Sequence, residues 1–553
     1  MLTSYSMNRI FNFFKGISYF LALPFLSGIL VGTSYIPFNG WALFFCYLPL
    51  WFKVLQMTDD NKKFSQIFLA AWLTQFILTL IGFNWIYYVS DEFGHLPKAL
   101  SAAALLGFAA FMHLYIPLSI TFAAVLFRKF HIKNFFVRFL LLALSMSLIE
   151  RVWPSIFEWN LGYTLLWMKL PIFQWADTVG FWGLSTWIFL IQACLGYAVY
   201  LFLQKQKKEA AILVLQILVV FVLFNVLGHF KGQNWDKTDE TTRIAVTQGN
   251  IGNAEKLQSE QKSQFHNFII DKYSVRTAEL IAKDHPDLMI WPETALPMAL
   301  DKAFHYGKDQ RKVLENVQNW GIPLVTGGYS LNKDERDYRG DDVIRNAVFY
   351  IMPNRDFAAP AYFKTNLLAF GEYMPFGEVV PKLYDLLPFV GVYAKGSGPV
   401  IAHIPLKDGK EIRLGPQICY DSLEPGFSRD LSKNGAQVLF NVTNDAWFGD
   451  WAEPFQHGWM TLARAVEVRR PLVRSTNTGV STAILANGKI LEQSPINEGW
   501  AHTFDVRYKK NPPQSTYTRF GHFDWVLWLV LQIILIFYFR TKPVPEPEKG
   551  ENV

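Results

Sequence analysis

Three cysteines in 553 residues are too few for a disulfide framework, and Cys46 and Cys194 lie inside apolar runs, where a small buried thiol is ordinary. Only Cys419 belongs to the polar part of the chain, so that part forms no internal disulfide. In an oxidising compartment a lone thiol calls for an explanation. Charge is scarce too. Charged residues make up 18% against 51% hydrophobic and 16% aromatic, which is too apolar for a fully soluble protein of this length. There is no His-Glu-x-x-His, no Cys-x-x-Cys and no Gly-x-x-x-x-Gly-Lys, so no motif signals a metal or a nucleotide. The net charge of +6 does not point to nucleic acid, because the basic residues sit in short loops between apolar runs and build no groove.

What the chain has is apolar length, concentrated at its two ends. A bilayer core takes about 20 mostly apolar helical residues. The runs predict eight spans, near 15–33, 40–56, 66–89, 100–127, 136–153, 180–203, 210–228 and 522–540. The first leads straight into the second with no small-residue cleavage site, so it reads as a span and not a signal peptide. One set of loops carries Arg9, Lys15, Lys53, Lys62, Lys63, Arg128, Lys129, Lys133, Arg138, Lys205, Lys207, Lys208, Arg540 and Lys542. The alternate set carries only Lys98, Arg151 and Lys169. Lys and Arg collect on the cytoplasmic side, which predicts two cytoplasmic termini and an extracytoplasmic segment between spans seven and eight. Arg507, Lys509, Lys510 and Arg519 run against this trend, but charges in long domains count little. His113 is the main ionisable residue inside a span and reads as a structural, bundle-facing histidine, so nothing suggests an ion path. Gly28 and Gly32 form a GxxxG helix-packing cue. The Trp- and Phe-rich stretch 154–179 suits the interface. The predicted division is 1–231 membrane region, 232–518 outer domain, 519–553 last span and tail.

The outer domain alternates short β-rich runs with helical stretches, which predicts an α/β fold. Strands are expected at 243–247, 287–291, 323–326, 347–351, 415–419, 437–441, 472–475 and 482–485, with helices near 258–283, 308–319 and 456–469. Sites in such folds lie just beyond strand ends. Three chemically capable residues fall there: Glu293 after Trp291-Pro292, Lys364 after the run 361–363, and Cys419. Glu293 could take a thiol proton, Lys364 could hold an oxyanion, and the Cys419 thiolate could attack an acyl carbon. A cysteine at a strand end is more often a small buried hydrophobe, and spacing does not show that the three meet.

The surrounding words narrow this. In order come Gln248-Gly249-Asn250, Trp291-Pro292-Glu293-Thr294, Tyr362-Phe363-Lys364, Phe370-Gly371-Glu372 and Ile418-Cys419-Tyr420. They are followed by Asn444-Asp445-Ala446-Trp447-Phe448-Gly449, Gln456-His457, Arg470-Pro471 and Arg474-Ser475-Thr476-Asn477-Thr478-Gly479. The ordered set, within this span pattern, closely resembles the apolipoprotein N-acyltransferase family, bacterial membrane enzymes with a domain of the nitrilase (carbon–nitrogen hydrolase) superfamily.

That resemblance implies a nitrilase-like α-β-β-α sandwich on a membrane bundle. It implies a Glu293–Lys364–Cys419 triad assisted by Glu372 and Asp421, with Tyr420 beside them, and no metal or cofactor. It also implies a multi-pass inner-membrane protein with a periplasmic catalytic domain. An acyl chain would pass from a phospholipid, typically phosphatidylethanolamine, to the cysteine as a thioester, and then to the amine of a diacylglyceryl-cysteine on a lipoprotein. Such substrates predict a sideways opening, with 154–179 as one wall and Met374, Phe376, Leu387, Phe389 and Tyr393 as a lid or as plain loop packing. Asn444, Trp447, Phe448 and His457 read as backbone-setting or packing residues near the site, or as a substrate loop. The chain departs from the family with Asp421 for Glu, Ala369 for Pro and Leu257 for Trp. A membrane-tethered amidase and a silent lipoprotein-binding paralogue are the competing readings.

Overall fold

The computed structural model describes residues 20–252, 255, 264–301, 307–337, 339–387 and 390–541. Lys256, Leu257, Phe389, Arg9, Lys15 and Lys542 therefore lie outside the described residues.

The apolar ends form helices α1 (Phe20–Gly32), α2 (Leu48–Asp59), α3 (Phe64–Gly82), α4 (Lys98–Phe111), α5 (Tyr115–Lys129), α6 (Phe135–Val152), α7 (Ala176–Leu203), α8 (Lys207–Gln233) and, after the α/β domain, Asp524–Phe539. Among the described residues, four helical units are long and apolar enough to cross a membrane: α3, α4 with α5, Pro171–Leu203, and α8. The expected span at 40–56 is a series of turns followed by the 12-residue α2, about 18 Å at 1.5 Å per residue. The 100–127 run breaks at His113, which lies buried with its Nδ1 2.7 Å from Thr79 Oγ1 and its ring against Phe83 and Trp159. Gly28 and Gly32 are close-packing positions: a Cβ there would fall 2.7 Å and 2.9 Å from Ile77 and Ile81 of α3.

Residues 240–508 hold two sheets. Strands β1 (Glu240–Gln248), β2 (Leu288–Ile290), β3 (Leu324–Arg336), β4 (Asp342–Ile351) and β5 (Tyr362–Phe363) join β11 (Trp500–Tyr508) in the order β11-β1-β2-β3-β4-β5. Strands β6 (Ala402–Pro405), β7 (Glu411–Ile418), β8 (Val438–Thr443), β9 (Leu472–Thr476) and β10 (Thr482–Ile484) form the second sheet. The centre of each is parallel, β1/β2/β3 and β7/β8/β9. The sheets face each other through contacts such as Ser475 Oγ to the Ile290 carbonyl at 3.2 Å. Helix α9 (Gln264–Asp284) packs on β1 and β11, with α10 (Lys308–Trp320) beside it, while α11 (Pro425–Lys433) and α12 (Glu453–Val468) cover the second sheet. The helix Asp524–Phe539 is then α13. This gives the α-β-β-α order that the resemblance implied. Strands β6 and β11 and helix α11 were not expected.

Stretch 154–179 lies between the bundle and the domain. Trp167 sits edge-on to Trp459 of α12 at 4.5 Å, and the Arg464 guanidinium donates to Tyr163 Oη at 2.7 Å. Arg469 bonds Asp177 at 2.8 Å and the Gln174 side chain at 2.7 Å. Helix α7 kinks at Gly180 (φ 69°, ψ 172°), and the Phe181 N–H beside the kink donates to Glu467 of α12 at 3.0 Å. That backbone region is essentially glycine-only. A Cβ at Gly180 would also sit 2.9 Å from His522 and Tyr517 atoms. Gly180→Ala is therefore expected to destabilise the protein by about 1–3 kcal/mol, lowering the thermal unfolding midpoint in detergent. An unchanged midpoint would mean that the junction does not depend on this kink.

Candidate active site

Four chain segments deliver the site. The loop after β2 bears Glu293, and Gly327 in β3 makes room for it: a Cβ there would lie 2.4 Å from Thr294 N. Lys364 follows β5, its N–H bonded to the Asn346 carbonyl of β4 at 2.9 Å. Glu372 comes from the loop beyond, and Cys419 is the first residue past β7, not its last residue. Cys419 has φ +48°, a conformation that costs a non-glycine residue energy and persists where surroundings over-determine it. Its carbonyl accepts from Ser422 Oγ at 2.9 Å and from Asn441 Nδ2 at 3.3 Å.

The three residues singled out in the sequence meet, and Glu372 joins them. Lys364 Nζ stands 3.2 Å from Glu293 Oε1 and 2.8 Å from Glu372 Oε2. Asn346 Nδ2 donates to Glu293 Oε1 at 2.7 Å and to Glu372 Oε1 at 3.1 Å. The Asn444 N–H donates to Glu293 Oε2 at 2.9 Å, and the Leu368 N–H to Glu372 Oε2 at 2.8 Å. Burial works against the Lys364 charge, but Cys419, Glu293 and Glu372 more than offset it and hold its pKa well above the usual lysine range. Burial pushes the Cys419 thiol up. Lys364 pulls it down, the two carboxylates push it up again, and it ends well above the ordinary thiol range. The resting thiol is therefore neutral, within electrostatic reach of Lys364, Glu293 and Glu372.

Asp421 works on the scaffold. Its oxygens accept from Tyr362 Oη at 2.6 Å, Ile418 N at 3.0 Å, Asn366 N at 2.7 Å and Thr365 N at 3.2 Å, tying both flanks of Lys364 to the base of the Cys419 turn. Tyr420 faces Phe448, His457 and, from 154–179, Phe157, with ring centroids 6.5, 5.6 and 6.2 Å away. Phe448 and Trp447 turn to the bundle, against Trp85 and Phe93. Asn444 accepts from Asn477 Nδ2 at 2.9 Å. Asp445 is clamped by Arg474 at 2.8 Å and His457 at 3.0 Å. Of the expected lid residues, Met374 is tucked into a small core with Tyr384 and Val390, Phe376 is 80% exposed, and Leu387 and Tyr393 are half-buried.

Sequence reasoning missed Asn346, an ordinary-looking residue in mid-strand. It also missed Glu453, which is fully buried on α12. Asp445, Glu453 and His457 place possible ligand atoms within 4.8 Å of one another. Arg474 already neutralises Asp445, and burial followed by the Asp445 charge pushes Glu453 far up. A separate groove of about 650 Å³, lined by Trp235, Asn487, His502 and Arg507 among others, contains none of the Cys419 group in its wall.

Against known proteins, residues 243–501 match the carbon–nitrogen hydrolase family and 27–194 match the apolipoprotein N-acyltransferase N-terminal domain. An apolipoprotein N-acyltransferase from Bdellovibrio bacteriovorus is 46% identical, covering 96% of this chain and 96% of its own length. One from Geobacter metallireducens is 27% identical over 94% of this chain and 95% of its own. A solved amidase from Nesterenkonia sp. aligns with 49% of this chain and 92% of its own at 16% identity and a TM-score of 0.34.

Burial holds the Asp421 carboxyl up at about 6, against the lowering bonds from Tyr362, Asn366 and Ile418. A carboxyl raised on folding stabilises the protein below its unfolded value, and loses that contribution as pH rises through its folded value. The stability of the wild type relative to Asp421→Asn should therefore fall between about pH 4 and pH 7. Asp421→Ala strands four donors next to Lys364, and acyl transfer should drop about 100-fold, as expected for reacting groups displaced by about 1 Å. Activity within twofold of wild type would remove Asp421 from the support of the site.

Proposed function

The chain belongs to the apolipoprotein N-acyltransferase family and is an acyltransferase with a nitrilase-type domain, and from that premise we propose how its own residues carry the reaction. The nucleophile is Cys419, the general base and acid is Glu293, and Lys364 stabilises the oxyanion. The observation that carries this reading is the buried contact of Lys364 with Glu293 and Glu372 beside a neutral, strained Cys419.

Glu293 Oε1 already accepts from Lys364 and Asn346, so its two lone pairs are occupied. Oε2 accepts the Asn444 N–H, and among the described residues it is the less engaged of the two oxygens, which makes it the atom that takes the thiol proton. The thiolate attacks the ester carbon of a phospholipid such as phosphatidylethanolamine, and Lys364 faces the negative charge that develops on the carbonyl oxygen. The C–O bond breaks, Glu293 returns its proton to the leaving oxygen, and a lysophospholipid departs from the Cys419 thioester. The neutral amine of a diacylglyceryl-cysteine then attacks and yields its proton to Glu293. The C–S bond breaks and the thiolate regains that proton, leaving an amide on the lipoprotein. Dividing ester-to-amide exchange through a thiol replaces one hard step by two easier ones. Glu372, bound by Leu368 N–H and by Lys364 through both oxygens, holds the ammonium in place.

Intact-mass spectrometry after incubation with phosphatidylethanolamine tests this. A hydroxylamine-labile acyl adduct is expected on the wild type and not on Cys419→Ala. An equal adduct on both, or none on a wild type that binds the lipid, would sink the mechanism.

The same reading takes the bundle as eight crossings, with 232–518 in the periplasm, both termini cytoplasmic and the acyl donor arriving sideways from the outer leaflet of the inner membrane. The loop charges support this orientation. A cysteine placed at the exposed Asp408 should react with a membrane-impermeant maleimide once the outer membrane is opened. Labelling only after the inner membrane is breached would reverse the orientation.

A further inference from the structure

Asn346 enters the site from β4, 3% exposed, with its amide between two carboxylates. The amide has one workable orientation. Turned over, its Oδ1 would face the oxygens of both Glu293 and Glu372, acceptor against acceptor. Its Nδ2 therefore gives one hydrogen to each, at 2.7 Å and 3.1 Å. The backbone bond from Lys364 N–H to the Asn346 carbonyl, at 2.9 Å, is separate from this and survives any change of side chain.

We propose that Asn346 is a positioning residue for both proton transfers. It closes Glu293 Oε1, leaves Oε2 as the atom that exchanges a proton with the thiol and the leaving group, and stands as a neutral donor between two carboxylates that otherwise share only the Lys364 charge. This deepens the Cys419 mechanism and rests on it. The charged and titratable groups around the amide are Glu293 after β2, Lys364 after β5, Glu372 in the following loop and Cys419 after β7, with Asp421 on the far side of Tyr362. Two carboxylates in one buried site repel, and a hydrogen bond to the ionised form favours that form. Without the amide donor, the ionised form of Glu293 loses a hydrogen bond that favours it and is a less available base.

The test is the pH dependence of acyl-thioester formation, followed by rapid quench and intact mass on the full-length protein in detergent with phosphatidylethanolamine. For Asn346→Ala the acidic limb of the profile should move up by about one pH unit, with about a tenfold loss of acylation rate on the acidic side. Asn346→Asp, of the same shape but without the donor, should move it further. Asn346→Ser keeps a donor and should fall between Asn346→Ala and the wild type; it also serves if the alanine variant fails to fold. An acidic limb that stays in place in the folded variants, whatever the fall in rate, overturns the inference and leaves Asn346 a packing residue. Acyl transfer persisting in Cys419→Ala would instead strike at the mechanism beneath it.

Discussion

An ammonium group taken out of water organises this site. Burying a lysine charge costs several kcal/mol unless paired and hydrogen-bonded. Lys364 meets that requirement with two carboxylates, and each carboxylate brings the same demand in turn. Glu293 draws on Asn444 N–H and Asn346, and Glu372 on Leu368 N–H and Asn346. The donors belong to separate stretches of backbone, so the charge stays compensated only while those stretches hold their places. Asp421 pins the Lys364 loop to the Cys419 turn, and the Arg474–Asp445–His457 clamp pins the turn that presents Asn444. The left-handed Cys419 is tolerated because so much else fixes the peptide around it.

Helix α12 connects this centre with the bundle. Glu453, His457 and Thr461, four residues apart, share the face that turns to the site, where Thr461 Oγ1 meets Ser422 Oγ at 2.7 Å. Gln456, Trp459, Arg464 and Glu467 turn to the membrane helices and 154–179. Gln456 spends its whole amide there, donating to the Ile36 and Gly82 carbonyls at 2.8 Å each and accepting from Trp85 Nε1 at 3.1 Å. Neighbouring residues of one helix thus answer to the bundle and to the Cys419 turn. That fixes the position of the Cys419 turn relative to the apolar helices.

Much of this was legible, and the gaps have physical causes. Glu293, Lys364 and Cys419 could be named because they sit just past strand ends inside distinctive words. Asn346 could not, since an Asn in mid-strand gives no local sign that two carboxylates will converge on it. Strand β11 went unseen although Trp500, His502, Phe504, Val506 and Tyr508 alternate, because its partner β1 lies some 260 residues earlier. Hydropathy found the apolar runs but not their interruptions. It cannot register the Gly180 kink, the turns that shorten α2, or the break at His113, all set by tertiary contacts.

The departure at Asp421 shows how the scaffold absorbs a change. The acid sits two residues after the cysteine within a 3-10 turn, and the Ile418 N–H that it accepts is only three residues back. At that separation a short side chain is the better fit, since an extra methylene must fold back or push the turn away from β7. The same carboxylate still reaches Asn366 N at 2.7 Å and Tyr362 Oη at 2.6 Å on the neighbouring loop, so the shorter reach is compensated by the loop lying close. None of its hydrogen bonds goes to the thiol, Lys364 Nζ or Glu293. An Asp in place of a Glu here therefore adjusts the spacing of two loops.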